Sequence, residues 1–243
     1  MNQHLVRLNT RSMSRPDWLA QRRKSIGGSD AAGIVGLSQY ATPYIVWADK
    51  TGRLPDQEDN EAMRQGRDLE AYVAERWMEA TGKTVRRSNA MLYSSLYPFA
   101  HADIDRTVVG ENAGPECKTT SALNLRQFKN VEFPEKYYAQ CVHYMAVTGA
   151  TRWYLAVLVY GRGVFTFTLE RDQAEIDALM DAERTFWKLV ERGIPLPPWM
   201  AWNRPEMPCN AFTLSAGVEI SISLDGNICC PDILNFNLRR KKS

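Results

Sequence analysis

Two β-prone segments, Phe99 to Val109 and Pro115 to Thr119, flank the turn Gly110-Glu-Asn-Ala-Gly114. A turn rich in glycine and asparagine between such segments predicts a hairpin, and so two neighbouring strands. The first segment carries Asp103 and Asp105; the second carries Glu116, Cys117 and Lys118. Side chains alternate faces along a strand, so Glu116 and Lys118 point one way and Cys117 the other. Carboxylates folded together repel unless a cation lies between them. A hard divalent ion such as Mg²⁺ answers this need, taking one or two carboxylates, water and a substrate phosphate as ligands. Asp105 and Glu116 are candidate ligands, and the Cys117 backbone carbonyl is a third, because the chain passes the site between Glu116 and Lys118. Asp103 shares a face with Asp105, and position alone leaves the two open. Lys118 could orient a water molecule, lower its pKa, or stabilise charge building on phosphate.

The rest of the chain predicts helices around these strands. Ser14 and Pro16 open a helix that carries Trp18 and Arg22 and breaks at Gly27-Gly28. Ser29 and Asp30 can cap the short helix that follows, and Thr42-Pro43 opens another that Gly52 ends. A long helix from Glu61 to Thr81 is stopped by Gly82, with Leu69, Tyr72, Val73, Trp77 and Ala80 on its buried face. Glu70 lies about 80–90° from the centre of that face, at its rim. A strand from Lys83 to Tyr93 precedes the acidic segment. Pro134 opens a helix to Thr148 with Tyr137, Gln140, Cys141 and Tyr144 on one face. Strands Arg152 to Tyr160 and Val164 to Glu170 follow, then a helix capped by Asp172 and stopped by Gly193, with Ile176, Leu179, Met180, Phe186, Trp187 and Val190 on one face. This order predicts one α/β domain over residues 1–198, a mixed central β-sheet flanked by helices. Residues 199–243, proline-rich and then carrying the β-like run GVEISISL and a basic end, read as an appendage of uncertain order.

Composition narrows the class. Apolar residues make up 44% of the 243 and charged residues 24%, enough for a core. No apolar run reaches the ~18 residues of a membrane span, and the N-terminus lacks the apolar stretch of a secretory signal. Five cysteines, an odd count without a CxxC pair, point to reduced thiols in a cytoplasm. His4, His101 and His143 are too scattered for a zinc site. The net charge of +2 neither demands nor excludes a polyanion, although Arg22-Arg-Lys24, Arg86-Arg87 and Arg239 to Lys242 are basic clusters.

Five motifs in order resemble a known family. They are Trp18-Leu-Ala-Gln-Arg22 with Ile26-Gly-Gly-Ser29-Asp30, Gln65-Gly-Arg-Asp-Leu-Glu70, Ala102-Asp-Ile-Asp105-Arg106, Glu116-Cys-Lys118-Thr119, and Tyr138-Ala-Gln140-Cys-Val-His-Tyr144-Met145. Over about Trp18 to Pro197 the chain resembles the YqaJ-like viral recombinase (lambda exonuclease) family of the PD-(D/E)xK nuclease superfamily, with its restriction-endonuclease-like core.

The resemblance implies a bacterial cytoplasmic enzyme, phage or prophage encoded, that digests one strand of double-stranded DNA 5′ to 3′. Mononucleotides would be released and a 3′ overhang left for recombination by strand annealing. It implies two Mg²⁺ ions per site, replaceable by Mn²⁺. Asp105, Glu116 and the Cys117 carbonyl would be ligands, Lys118 would assist the attacking water, and Glu70 and Gln140 would complete the site. Arg22 and Ser29 would hold the 5′-phosphate, a role that suits an arginine fork beside a hydroxyl. It also implies a homotrimeric ring around DNA and a single-strand annealing protein as partner. Two alternatives stay open: an endonuclease on the same core, and an inactive module that binds DNA ends. The second arises because Pro115 stands where the family carries an apolar residue able to donate its N–H. Tyr137 and Tyr144 are expected in the core, and His143 is expected to be structural.

Overall fold

The computed structural model describes residues 4–38, 40–55, 59–121 and 133–196. The chain divides into two units, Met1–Ala201 and Trp202–Ser243. The second unit, with the GVEISISL run, lies outside the described residues, as does the expected boundary near 198. The first unit runs β1 Leu5–Asn9, α1 Arg15–Arg22, β2 Ile26–Gly27, α2 Gly28–Ile34, α3 Pro43–Lys50, α4 Glu61–Thr81, β3 Val85–Ser94, β4 Tyr97–Val108, β5 Pro115–Thr120, α5 Glu135–Thr148, β6 Arg152–Val159, β7 Gly163–Glu170 and α6 Gln173–Glu191. The helix starts follow their capping residues. The side chains of Ser14, Thr42, Asn60 and Asp172 accept backbone N–H groups at the first turns of α1, α3, α4 and α6, each contact worth about 1 kcal/mol.

The strands form two mixed sheets flanked by helices. One has the order β1-β3-β4-β2, antiparallel except for the β2–β4 pair; the other has the order β5-β6-β7, with β5 parallel to β6. The expected hairpin between β4 and β5 is therefore corrected. The turn is made, and the Val108 N–H donates to the Ala113 carbonyl at 2.9 Å. Beyond it β5 leaves β4 and pairs with β6, from Pro115 opposite Tyr154 to Thr120 opposite Val159. The connection from β5 through α5 to β6 is the helical crossover that parallel strands require. Gly114 sets the point of divergence: a Cβ there would lie 2.7 Å from the Arg106 carbonyl and 2.7 Å from the Trp153 ring.

Pro115 is the first residue of β5, and β5 is an edge strand of its sheet. Both are positions where a missing N–H is tolerated, so the strand that carries Glu116 is regular.

Helix α4 covers one face of this region, where Val73 and Trp77 pack with Val108, Ala113, Tyr154 and Ala156, and Cys117 joins the same cluster. The buried stripe of α4 is narrower than expected. Val73, Ala74 and Trp77 are buried, Leu69 is half-buried, and Tyr72 and Ala80 are exposed, because only the middle turns lie against the strands. On α6, Trp187 and Val190 are half-buried, while Ala182, Glu183 and Leu189 are in the core. Strands β1 and β2 have no expected counterpart, since the residues of β2 read as a helix break.

Gly27 and Gly28 are small for packing reasons. A Cβ on Gly27 would meet the His101 ring at 2.9 Å, and one on Gly28 would meet the Tyr144 ring at 2.5 Å. A fully buried ion pair ties α5 to α6 nearby. His143 Nδ1 lies 2.8 and 3.0 Å from the two carboxylate oxygens of Glu183, and its Nε2 lies 2.9 Å from the His101 carbonyl. With both ring nitrogens facing acceptors, the imidazolium form is favoured. Burial pulls the His143 pKa down, but Glu183 and the His101 carbonyl more than offset it, so the pKa stands above its usual 6.5. A raised folded-state pKa stabilises the fold fully below the ordinary value and loses that contribution as pH rises through the folded one. Urea unfolding below pH 6.5 is expected to show Glu183→Ala less stable than the unaltered chain by about 3 kcal/mol, with the gap narrowing in alkaline buffer.

Candidate active site

Glu116 is the buried acid of the site, only 4% exposed. It is held from two sides: Lys118 Nζ lies 2.5 Å from its Oε1, and the Gln140 side-chain amide donates to the same oxygen at 2.9 Å. Strand alternation places Glu116 and Lys118 together as expected, and Cys117 turns its thiol into the apolar cluster under α4. Burial raises the pKa of that thiol, which stays neutral. Lys118 also lies over the Tyr137 ring, 5.4 Å from its centroid. Burial disfavours its charge, but Glu116 prevails and holds its pKa above the ordinary lysine value. Gln140 donates a second bond, at 2.8 Å, to the Tyr144 hydroxyl, which in turn donates to the Asp103 carbonyl at 3.2 Å. Because Tyr144 packs on Gly28, one chain of contacts runs from the start of α2 to the carboxylate on β5.

Asp105 and Glu70 come to the same place from β4 and α4. Both line an open cleft of about 210 Å³ together with Thr10, Trp18, Arg87, Asn89, Ala90, Asp103 and Ile104. Asp105 is open on its cleft side, yet its walls strip away much of its hydration. This desolvation, with the neighbouring charges of Glu116 and Glu70, pushes its pKa up to about 7 against the pull of Lys118. Glu70 is restrained by Arg106, whose Nη2 lies 2.8 Å from its Oε1 without the alignment of a hydrogen bond. Asp103 lines the same cleft. Burial raises its pKa too, and the positive charge of Arg22 opposes this.

The expected phosphate residues also meet. Arg22 Nη2 donates to Ser29 Oγ at 2.6 Å, and its guanidinium lies 4.7 Å from the centre of the Trp18 ring. Ser29 is not the helix cap: α2 starts one residue earlier, and the Asp30 carboxylate accepts the Gly27 N–H at 2.8 Å. The Ser29 side chain is exposed. Lys50, at the end of α3, fixes this corner by bonding Asp30 at 2.6 Å and the Arg22 carbonyl at 3.0 Å. Burial raises the Asp30 pKa, but Lys50 and Arg22 outweigh it and hold the acid at about 2. His101, linked to Ser25 at 2.8 Å, is kept neutral by burial and by the same two cations, with its pKa at about 3.

All eight expected site residues thus fall into two connected groups. Glu70, Asp105, Glu116, Cys117, Lys118 and Gln140 surround the splayed strands, and Arg22 and Ser29 sit beside Trp18. Arg106, Lys50, Asp30 and Tyr144 complete the arrangement without having been assigned roles in it. Arg106 could have been inferred from the cation that Glu70 requires, but Lys50 is 28 positions from Arg22 and carries no local signal. Among the described residues no three His, Cys, Asp or Glu side chains form a ready-made metal cage. Two carboxylates with a backbone carbonyl nonetheless suit Mg²⁺, which keeps several waters and borrows oxygens from its substrate. The crowding of acids around Asp105 is the local sign that a cation fits there.

Residues 17–151 match the model of the YqaJ-like viral recombinase domain. YqaJ of Bacillus subtilis strain 168 is 46% identical over 178 residues, covering 72% of this chain and 56% of that protein, so the chain spans about half the length of this relative. Among solved structures, the fold is similar to the alkaline exonuclease LHK-Exo of Laribacter hongkongensis, with TM-score 0.64, 22% identity, and 74% and 94% of the two chains covered. It is also similar to a phage-related exonuclease of Haemophilus somnus 129PT, with TM-score 0.52, 12% identity, and 72% and 99% covered. The chain belongs to the YqaJ-like viral recombinase family.

Proposed function

We propose that this chain is a Mg²⁺-dependent nuclease that digests one strand of double-stranded DNA from a 5′-phosphorylated end, releasing mononucleotides and leaving a 3′ overhang. The observation that carries the reading is the set of acids, Glu70, Asp103 and Asp105, on one open cleft, with the charges of the paired Glu116 and Lys118 acting on Asp105. Family membership and the fold shared with LHK-Exo support it. Asp105, Glu116 and the Cys117 carbonyl would hold the metal, with Mn²⁺ able to substitute. When bound, Mg²⁺ supplies positive charge to the phosphodiester and makes water a better nucleophile.

The chain's own residues do the rest. Gln140 and Tyr144 fix the rotamer of Glu116, and Arg106 keeps Glu70 at the rim of the cleft. Lys118, held as an ammonium, contributes a fixed charge and hydrogen-bond donors where negative charge grows on the phosphate. Its raised pKa suits this electrostatic role better than that of a general base. Arg22 and Ser29 would bind the terminal phosphate. Trp18 links them to the cleft, since its ring underlies Arg22 and lines the cleft together with Asp103. Such recognition reads the backbone and is therefore salt-sensitive and indifferent to sequence. A ring-shaped trimer on DNA and a single-strand annealing protein as partner belong to the same proposal.

Mg²⁺ titration should give nucleotide release from 5′-phosphorylated linear duplex and none from metal-free protein, while closed circles stay intact. Cleavage of closed circles would favour an endonuclease, and end binding without release would favour an inactive module. Lys118→Met should lower kcat by about 10²-fold or more with DNA affinity largely kept; an unchanged turnover would remove Lys118 from the chemistry. Arg22→Ala should erase the preference for phosphorylated over hydroxyl ends. An equal loss on both kinds of end would make Arg22 a general backbone contact.

A further inference from the structure

We infer that Arg87 and Asn89 form a subsite for a phosphate of the DNA backbone, on the cleft that holds Asp105. The inference rests on the nuclease reading above and extends it to residues outside the metal and 5′-phosphate groups. The first observation is electrostatic. The cleft is lined by three carboxylates, Glu70, Asp103 and Asp105, and by one guanidinium, Arg87. In the β3–β4 register Arg87 stands directly opposite Arg106, and like charges so placed are destabilising. Arg106 is compensated by Glu70 at 2.8 Å. Arg87 is exposed and makes no hydrogen bond or ion pair among the described residues. Its charge is thus available to an incoming anion.

The second observation is the backbone that presents it. Arg87 and Ala90 on β3 face Arg106 and Ile104 on β4, three steps against two, so β3 carries one extra residue in a bulge. Bulges re-aim side chains and recur beside functional sites. Here Ser88 and Ala90 turn inward, while Arg87 and Asn89 turn out into the cleft. Asn89 has φ +48°, the left-handed region that costs a non-glycine residue energy. Its carbonyl accepts the Thr10 N–H at 3.0 Å, which anchors the bulge to the end of β1. Its side-chain amide has no partner among the described residues. A guanidinium fork and an amide donor two residues apart suit phosphate oxygens. A cleft with acids alone would repel the backbone that it must admit, and this pair supplies attraction without neutralising the acids.

The test is DNA binding by the full chain as a function of salt, with Ca²⁺ in place of Mg²⁺ and a fluorescent 5′-phosphorylated duplex as probe. Arg87→Ala should weaken binding about tenfold and lower the slope of log affinity against log salt by about 1, the signature of one lost phosphate contact. Arg87→Lys should keep the slope. Asn89→Gly relieves the strained φ, so it should melt no lower than the unaltered chain and yet bind more weakly. An unchanged slope in Arg87→Ala would overturn the subsite, as would a loss confined to particular base sequences. Undiminished binding by Asn89→Gly would remove Asn89 from it. The two readings fail separately. Absence of Mg²⁺-dependent nucleotide release by the unaltered chain defeats the nuclease assignment. Normal release with an unchanged slope in Arg87→Ala defeats the subsite alone.

Discussion

A carboxylate taken out of water must be compensated, and Glu116 organises the site around that requirement. Lys118, on the same strand face, and Gln140, on the crossover helix, both reach its Oε1. Without them a 4%-exposed carboxylate would be left buried without a partner, which is costly. Gln140 is available because β5 and β6 are parallel, which obliges the chain to return over the sheet through α5. Tyr144 fixes Gln140, and Gly28 gives Tyr144 its space. The glycine pair that ends the first helical region is thus joined by packing to the acid on β5.

The same logic explains why the site is strained in charge but not in backbone at its centre. Pro115 could have distorted the strand that carries Glu116, yet it occupies the first position of an edge strand, where no ladder N–H is missed. Instead the acids crowd. Asp105 lies near Glu116 and Glu70 in a partly dehydrated cleft and is pushed toward the neutral form. Arg106 and Lys118 offset part of this crowding, and a divalent cation would offset the rest. The second group, Arg22 with Ser29, is held in a different way: Lys50 and Asp30, ion-paired at 2.6 Å, bond the backbone at Arg22 and at Gly27.

Much of this was legible in the sequence, and the failures are instructive. The limits of α4, from the Asn60 cap to left-handed Gly82, follow from local capping chemistry. The face shared by Glu116 and Lys118 follows from strand alternation. The partner of β5 does not, because a short glycine turn signals a hairpin while the choice of β6 is made by packing at Gly114 and by the crossover. Gly27-Gly28 read as a helix break, whereas their smallness serves the close approach of His101 and Tyr144. Asp103 and Asp105 are equivalent by alternation, and in the structure both line the same cleft. Lys50 was invisible because its partners are distant in sequence, and Glu183 because a buried acid on an apolar helix face is recognised only once His143 is seen against it.

Everything in the functional reading depends on Asp105 and Glu116 sharing one ion. Crystals soaked in Mn²⁺ and measured at the manganese edge address this directly. The account predicts an anomalous peak about 2.1 Å from a carboxylate oxygen of each residue, with the Cys117 carbonyl in the same coordination sphere. Ordered carboxylates with no peak between them, or a peak touching one acid and not the other, would contradict it.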